Sequence, residues 1–411
     1  MSCKTLPTIA IFVAILSAVV HSRPQESVAT QFTATASASV AAAAATAKTS
    51  SPTSHVKGKV FDRFVVIWDE NTNSQDALND PSFQSITAQS LLLTNFFAVT
   101  HPSEPNYIAS FGGDYFGMNN DAFWRIPKNV STLADLLDDK GISWSLYQED
   151  MPYSGFEGFQ WAGGPNGLYV RKHNPAVIYD SIAESADRLS RIKNLTVFYD
   201  ELKNNKLPQW MFITPNMLHD GHDTNTSYTG NWTKTFLQTL LEDKNFNDNT
   251  LVLVTFDESE DYPIPNKVYA ALLGDALPKY LAGTKDDTFY THYSTLATVE
   301  ANWDLHTLGR WDTGANVFSP VAAKTGDTLR VPRFPPLNET YLNESYPGPL
   351  NFSAPVWKPW PVPDMRDRPC GRTVLPSIRD IWGKLQKCTV YHAGVEVPSK
   401  ANPPVYPPGC S

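Results

Sequence analysis

Five short apolar, β-prone segments recur along the middle of the chain, and they constrain its fold more than any other feature. The stretches between them carry apolar residues every three or four positions, as amphipathic helices do. Buried strands that alternate with helices are typical of an α/β fold, in which helices cover both faces of a mostly parallel sheet. The expected strands lie at residues 63–68, 143–147, 209–214, 251–256 and 268–274, and the expected helices lie within 85–97, 131–141, 233–245 and 293–305.

Composition divides the rest of the chain into further parts. Residues 1–22 contain one lysine before an apolar stretch and end in small residues, a pattern typical of a secretory signal peptide. Residues 23–56 are rich in Ala, Ser and Thr, and they are interpreted as a flexible linker. The expected catalytic domain covers 57–325, and a proline-rich extension that wraps it covers 326–411. A short helix is expected within 377–387 of that extension.

Charge and sequence motifs favour an extracellular protein. The net charge is −9 and no long basic run occurs, so a nucleic-acid partner is not expected. No later segment resembles a membrane span and the polar C-terminus lacks a lipid-anchor signal, so no membrane partner is expected either. The expected localisation is therefore secreted, extracellular or cell-wall associated. N-linked glycans are expected from seven sequons, at Asn129, Asn194, Asn225, Asn231, Asn338, Asn343 and Asn351.

Cysteine is too scarce to hold the main domain together. Cys3 lies in the expected signal peptide, which leaves Cys370, Cys388 and Cys410, all within the extension. Three cysteines allow at most one internal disulfide and leave one residue over, and the spacing does not decide the pairing. So few cysteines also exclude a cysteine-based zinc cluster.

Polar side chains follow three of the expected strands at the point where each strand ends. Asp69, Glu70 and Asn71 follow the first strand, and Asp257 and Glu258 follow the fourth. In open α/β sheets, ligands bind beyond the carboxyl ends of the strands. Carboxylate and amide oxygens there suit a divalent cation, although each group alone is also typical of a turn or a helix cap. Two acidic pairs at one side of the sheet favour the cation site.

A compact polar loop follows the third strand, and a single histidine opens the last expected helix. The loop sequence "HDGHD" contains His219, Asp220, His222 and Asp223. These residues suit ligands or phosphate-contacting groups, or alternatively a solvated turn, because Asp and Gly favour turns. His292 is a further candidate, although a lone histidine more often packs or caps a helix.

The segment "HPSEPNY", residues 101–107, contains a candidate nucleophile in Ser103. A serine hydroxyl requires a base or a metal for activation, and no G-x-S-x-G motif supplies the first. A cation held by the neighbouring carboxylates would supply the second. Asn106 is a candidate donor to a phosphoryl oxygen, and a helix starting at "IASF" would favour an anion at its N-terminus. His101 is a rival nucleophile, and a proline-bracketed turn without chemistry is the remaining alternative.

Residues 61–305 resemble the fungal secreted acid phosphatases of the phosphoesterase family. That family includes bacterial phospholipases C and belongs to the alkaline phosphatase superfamily. The resemblance implies an alkaline-phosphatase-like sheet and a phosphate-ester hydrolase of small-molecule substrates. The motifs that carry it are "WDEN", "HPSEPNYIASFGG", "YVRKHNPAVIY", "TPNMLHDGHD", "FDESED" and "THYSTLATVEANW".

The resemblance also implies roles for individual residues. Glu70 and Asn71 match a first pair of metal ligands, and Asp257 and Glu258 match a second pair. Ser103 matches a nucleophile that carries the phosphoryl group covalently. Asn106 matches an asparagine that contacts phosphate. Five further residues match positions that support the site, face the leaving group or bind a second metal: His219, Asp220, His222, Asp223 and His292. The oxygen-rich ligand set suggests one metal held at low pH, and Ca, Mn, Fe and Mg all accept such ligands.

The expected function is a secreted, metal-dependent acid phosphatase that hydrolyses phosphate monoesters for phosphate scavenging. One alternative keeps this chemistry in a phospholipase C-type phosphodiesterase. Another alternative, from a different class, is a non-catalytic glycoprotein that binds a cell-wall ligand through its aromatic residues, which include 11 Trp.

Overall fold

The structure is a computed structural model, and it describes residues 37–162, 167–332, 342–354 and 358–410. The expected signal peptide and the sequon at Asn338 lie outside the described residues. The main sheet contains β1 (Arg63–Asp69), β2 (Leu91–Phe97), β3 (Trp144–Gln148), β6 (Ile192–Asn194), β7 (Trp210–Thr214), β8 (Thr250–Phe256), β9 (Ala270–Leu273) and β10 (Thr284–Thr291). A separate hairpin pairs β4 (Gln160–Trp161) with β5 (Tyr169–Val170).

The strand order in the main sheet is β10-β2-β9-β8-β1-β7-β3-β6. Among the described strands of this sheet, only β9 is antiparallel, and it pairs with β2 on one side and β8 on the other. The mostly parallel α/β sheet expected from the sequence is thereby confirmed. The remaining strands point the same way, so their carboxyl ends meet at one side of the sheet, which we call the carboxyl side.

Helices cover both faces of the sheet. Successive side chains of a strand point to opposite faces. Trp68 packs against Tyr107 and His292, whereas the next residue, Asp69, accepts a hydrogen bond from Thr233. The helices are α1 (Ser37–Ala44), α2 (Ser74–Asn79), α3 (Pro81–Thr87), α4 (Ser103–Gly112), α5 (Leu133–Asp139), α6 (Asp180–Ala183), α7 (Ala186–Leu189), α8 (Leu195–Lys203), α9 (Thr226–Glu242), α10 (Lys244–Asn247), α11 (His292–Trp303), α12 (Ser319–Thr325) and α13 (Pro376–Trp382).

Central strand β1 shows why the sequence folds in this way. Its residues Phe64 to Trp68 are fully buried, since helices cover both faces. A strand buried on both faces needs a continuous apolar run, which is the pattern that "RFVVIW" has. The other four expected strands form β3, β7, β8 and β9, and the helices expected within 131–141, 233–245 and 293–305 form α5, α9 and α11.

Two expectations about helices were wrong. The segment 85–97 was expected to be one helix, but α3 ends at Thr87 and the apolar run that follows forms β2, paired between β10 and β9. The apolar spacing of this run suits a helix or a strand. Its pairing with two neighbouring strands and its burial on both faces of the sheet decide in favour of a strand. The helix expected to start at "IASF" starts five residues earlier, at Ser103. The serine therefore stands in the first turn of α4.

The segment interpreted as a flexible linker is partly ordered. Residues 37–44 form α1, and the chain after it is hydrogen-bonded to the domain. The Ser54 hydroxyl donates to Gln209 Oε1 at 2.6 Å, and the Ser50 amide donates to the Ser190 carbonyl at 3.0 Å. Val40 of α1 is also buried in the core, so hydrogen bonds and a little apolar burial together order this segment. Over these residues, the flexible-linker interpretation is corrected.

The proline-rich extension packs tightly onto the domain. The buried Asp114 carboxylate accepts hydrogen bonds from the hydroxyls of Tyr346 and Tyr391, at 2.9 and 2.7 Å. A Cβ at Gly348 would lie 2.4 Å from the Phe116 carbonyl oxygen, so only glycine permits this approach.

The extension also contains the expected short helix, as α13, and one disulfide. The disulfide joins Cys388 to Cys410, and Cys370 is free and exposed. Within the described ranges, no helix has the length and apolar character needed to cross a bilayer.

Candidate active site

Two neighbouring strands bring the acidic pairs together at the carboxyl side. Strands β1 and β8 are parallel and adjacent, with Asp69 in register with Phe256. Glu70 and Asp257 therefore follow their strands at the same level, and the charge of Glu70 acts on the Asp257 carboxyl and raises its pKa. Glu70, Asp257 and Glu258 are all buried, with at most 2% exposure. The predicted convergence of these three carboxylates is present in the fold.

Ser103 joins this cluster from the adjacent helix. Its Oγ lies 3.2 Å from Glu70 Oε2 and 3.3 Å from Glu258 Oε1, so its hydroxyl can donate to either carboxylate. Pro102 precedes it at the N-cap of α4, where backbone N–H groups lack helical partners and favour an anion. The serine thus stands between two carboxylates at a helix terminus suited to phosphate.

The charge state of the three carboxylates differs with their surroundings. Burial raises the pKa of Asp257 and of Glu258 well above the usual range, and the charge of Glu70 raises both further. Burial alone would also raise the pKa of Glu70, but the positive charge and hydrogen bond of His173 hold it below the usual value. Repulsion among buried carboxylates is the condition that a bound cation relieves.

A divalent cation is compatible with this donor set. Asp257 Oδ2 is buried and has no hydrogen-bond partner, although Oδ1 accepts from the Glu258 amide at 2.7 Å. Three carboxylates and a serine hydroxyl are oxygen donors that hard cations prefer. In the part of the chain that the structure describes, no three His, Cys, Asp or Glu side chains already stand in metal-binding geometry. The fit therefore rests on the donor chemistry and on the unpaired oxygen.

The two residues that flank Glu70 differ in their placement. Asn71 follows it directly and is half-buried at the same side of the sheet. Asp69 points to the opposite face, where Oδ2 accepts from Thr233 at 3.1 Å and burial raises its pKa. Asp69 is therefore separated by the sheet from the cluster that Glu70 joins.

Sequence reasoning missed two basic residues that border the carboxylates. His173 Nε2 lies 2.9 Å from Glu70 Oε1, and its Nδ1 lies 3.4 Å from Asp220 Oδ2. Lys172 Nζ lies 3.2 Å from Asp121 Oδ2. Both basic residues belong to "YVRKHNPAVIY", a motif that carried the family resemblance, so the sequence contained a signal that could have identified them. Nothing in the sequence pointed to Asp121.

His101 and Asn106 organise the turn that precedes Ser103. His101 Nδ1 lies 2.8 Å from Glu258 Oε2, and burial lowers the pKa of this histidine to about 4. Asn106 Oδ1 accepts from the Val99 amide at 2.9 Å, while its Nδ2 donates to the Thr100 carbonyl at 2.8 Å. Nδ2 also lies 3.3 Å from the Pro102 carbonyl and 3.4 Å from Glu258 Oε2. The amide group expected to hold a phosphoryl oxygen thus has acceptors within the turn and the cluster for both of its hydrogens.

The three candidate histidines occupy different environments. His292 is fully buried; its Nε2 lies 2.6 Å from the Asp257 carbonyl, and burial lowers its pKa to about 3. Because a carbonyl oxygen accepts, the Nε2–H group of His292 donates to it, and the buried ring holds the end of β8 in place. His219 Nδ1 lies 2.8 Å from Glu149, and its ring stacks on Trp232.

His222 borders the cluster directly. Its Nε2 lies 3.3 Å from Lys172 Nζ, and its Nδ1 lies 3.0 Å from Asp223. Its side chain is 22% exposed, so solvent and substrate can reach it. Asp220 lies beneath it: its Oδ1 accepts from the His222 amide at 2.9 Å, and burial raises its pKa to about 6.

The chain has a mostly parallel α/β fold, and a serine and three carboxylates meet at the carboxyl side of its sheet. These two features place it in the class of α/β enzymes whose active site combines a serine with carboxylates. More specifically, the chain belongs to the Phosphoesterase family, whose model matches residues 79–306. That segment includes Ser103, Asp257 and Glu258, and Glu70 precedes it.

Named relatives agree with this membership. The chain is 49% identical to the phosphate-repressible acid phosphatase of Penicillium chrysogenum over 84% of its length and 83% of that protein. It is 51% identical to an acid phosphatase of Aspergillus fumigatus, over 75% of this chain and 70% of that one. The predicted enzyme class, an acid phosphatase, is confirmed by these similarities.

Among solved structures, the chain is similar to a protein in the alkaline phosphatase superfamily from Vibrio parahaemolyticus. The TM-score is 0.39 at 14% identity, over 66% of this chain and 76% of the other.

Proposed function

We propose that this acid phosphatase is secreted, depends on a divalent metal and hydrolyses phosphate monoesters through a phosphoserine at Ser103. The observation that carries the proposal is the position of the Ser103 Oγ, within 3.3 Å of two buried carboxylates. A hydroxyl beside carboxylates that hold a cation would lose its proton more readily and so become a nucleophile. The N-terminus of α4 lies beside it and would stabilise a phosphoryl group.

The residues of the chain provide the two chemical steps. Ser103 Oγ, after losing its proton to solvent, attacks phosphorus and forms a new P–O bond, and the P–O bond to the ester oxygen breaks. The leaving oxygen keeps the electron pair of that bond and takes up a proton. Water then attacks the phosphoserine, releases phosphate and restores the hydroxyl. Lys172 contributes positive charge where the phosphoryl oxygens gain negative charge.

Glu70, Asn71, Asp257 and Glu258 would hold the divalent metal. The cation would lower the pKa of the serine hydroxyl and neutralise charge on the phosphoryl group. The unpaired Asp257 Oδ2 and the mutual repulsion of the carboxylates support this assignment.

His222 is the proposed proton donor to the leaving alcohol. Among the three candidate histidines, His222 borders the carboxylate cluster: its ring centroid lies 5.8 Å from that of His173, which contacts Glu70. Its side chain is also 22% exposed, whereas His292 is fully buried. His222→Ala is expected to lower kcat/KM about 10²-fold or more for an alkyl phosphate but much less for 4-nitrophenyl phosphate, since a nitrophenolate needs no proton to leave. The measurement is kcat/KM for both esters, with His219→Ala as the matched control. Equal losses on the two esters would contradict proton donation by His222.

Secretion and N-glycosylation form part of the proposal. Sequons at Asn129, Asn225 and Asn231 are exposed and accessible to the glycosylation machinery. Asn351 is different, since it is buried and its amide donates to the Tyr346 carbonyl at 2.8 Å. Mass spectrometry of glycopeptides from the exported protein tests this part.

Substrate class is tested by hydrolysis of two esters by the purified protein with divalent metal supplied at acid pH. Rapid hydrolysis of 4-nitrophenyl phosphate with little hydrolysis of phosphatidylcholine is the expected result. The reverse preference would favour the phospholipase C-type phosphodiesterase. No hydrolysis of either ester would favour the non-catalytic glycoprotein.

A further inference from the structure

A cavity of about 700 Å³ opens beside the candidate active site. One wall belongs to the catalytic domain and includes His101, Asp121 and Tyr262. The facing wall belongs to the proline-rich extension and includes Ser345, Ser353 and Ala354. The extension, expected only to wrap the domain, therefore forms one side of a space that adjoins the site.

Two residues of the domain wall connect the cavity to the groups around Ser103. His101 Nδ1 lies 2.8 Å from Glu258 Oε2. Asp121 Oδ1 accepts from the backbone amide of Glu104 at 3.0 Å. Both wall residues therefore contact groups next to the serine. The cavity therefore adjoins the serine and offers space for the alcohol portion of an ester whose phosphorus lies at Ser103 Oγ.

The wall contributed by the extension is held firmly in place. Asn119 Nδ2 donates to Ser353 Oγ at 3.0 Å, and the Phe352 amide donates to Asn119 Oδ1 at 3.1 Å. The Leu350 amide donates to the Phe116 carbonyl at 3.0 Å. A wall fixed by several hydrogen bonds gives a preformed cavity, as ligand sites usually are.

The lining favours a neutral, hydroxylated ligand. The Tyr262 ring stacks on His101 with 4.0 Å between centroids and is 48% exposed, so an open aromatic face is available. The charges at the rim are satisfied, because Lys400 and Glu344 pair with each other. Asp121 pairs with Lys172, and His101 contacts Glu258. The other polar lining groups are mainly neutral amides and hydroxyls, which offer donors and acceptors to hydroxyl groups.

We propose that this cavity binds the leaving alcohol of the substrate, and that the alcohol is a polyhydroxylated ring of about the size of a hexose. The proline-rich extension then forms half of the leaving-group site. This proposal rests on the proposed phosphate monoester hydrolysis and defines its substrate class. A volume of this size is ample for one sugar ring.

Ala354→Trp tests the proposal, because the new indole would fill the cavity from the extension side. For glucose 6-phosphate, kcat/KM is expected to fall about ten-fold or more, mainly through KM, since the hexose loses its space. Acetyl phosphate, whose acyl group is too small to need the cavity, is expected to keep its kcat/KM within about two-fold. The matched control is Ala323→Trp on α12, an exposed position outside the cavity, which is expected to leave both esters unaffected.

Thermal melting of each variant checks its folding. Should Ala354→Trp fail to fold, Ala354→Leu narrows the same cavity with a smaller side chain and leaves the hydrogen bonds of the wall in place. Equal effects on both esters, or no effect on glucose 6-phosphate, would overturn the leaving-group site. A loss seen with phenyl phosphate but not with the sugar phosphate would also overturn it, in favour of an apolar alcohol. If the unmodified protein hydrolyses no ester, the proposed function itself fails, and no variant is needed to recognise this.

Discussion

Ser103→Ala is expected to lower kcat for 4-nitrophenyl phosphate by about 10³-fold or more, while the protein keeps its fold and most of its affinity for metal. The physical reason is that Oγ is the atom that attacks phosphorus in the proposed mechanism, and alanine has no replacement for it. The hydroxyl makes hydrogen bonds only at 3.2 and 3.3 Å, to Glu70 and Glu258, so its loss costs little stability. Steady-state kinetics, thermal melting and metal content are the three measurements.

Ser110→Ala is the matched control for this prediction. Ser110 lies on the same helix and is also buried, but its hydroxyl donates to the Tyr107 carbonyl at 2.7 Å. The control is expected to turn over at a near-normal rate. If Ser103→Ala does the same, "HPSEPNY" is a structural turn and Ser103 is not the nucleophile. In that case His101→Ala would test the rival histidine nucleophile.

Glu70→Gln and Asp257→Asn are expected to have the second large effect. Each change keeps the shape of the side chain and removes a charge from the proposed metal ligands. We expect the metal content to fall clearly below that of the unmodified protein and turnover to fall by about 10²-fold or more. The reason is that loss of a direct metal ligand should weaken metal binding more than loss of a residue that only hydrogen-bonds to a ligand. Elemental analysis of the purified variants measures the metal, and added divalent metal tests rescue of turnover.

Asp69→Asn is the control for the metal prediction. Asp69 is as buried as Glu70 and precedes it in sequence, but its carboxylate faces Thr233 across the sheet. Its amide variant is expected to retain metal and turnover. Unchanged metal content in both Glu70→Gln and Asp257→Asn would contradict the assignment of ligands. Full activity after exhaustive chelation would contradict metal dependence altogether.

The part of the site that follows directly from strand ends was predictable from sequence. The runs "RFVVIW" and "LVLVTF" are apolar enough to identify buried parallel strands, and parallel strands end at one side of a sheet. Glu70, Asp257 and Glu258 were therefore expected to meet before any geometry was known. Adjacency of β1 and β8 was not required for that expectation, but it brings the carboxylates close enough to interact.

Other residues depend on contacts that no local pattern encodes. His173 and Lys172 lie in a short 3₁₀ helix, Arg171–His173, whose position is set by packing against α4. The apolar run of β2 suits a helix or a strand equally well, and its pairing with β10 and β9 decides between them. His292 looks like a candidate proton donor in sequence, but in the fold it is fully buried against Trp68 and donates to the Asp257 carbonyl.

The contribution of the extension to a cavity was equally hidden. Proline content predicts an extended, wrapping chain but gives no contact to any particular surface. The contact is specified by Asp114, which accepts hydroxyl hydrogen bonds from Tyr346 and Tyr391, residues more than 200 positions away in sequence. Long-range pairs of this kind become visible only in the folded chain.

Acid quenching of the enzyme during turnover, followed by phosphopeptide mapping, is the decisive measurement for the proposed chemistry. Phosphoserine survives acid, whereas phosphohistidine does not. We predict that phosphate is recovered on the peptide containing Ser103, that fragmentation places it on that residue, and that the Ser103→Ala protein carries none. Phosphate found on another residue, or an enzyme that turns over rapidly without any acid-stable phosphopeptide, would contradict the proposed phosphoserine mechanism.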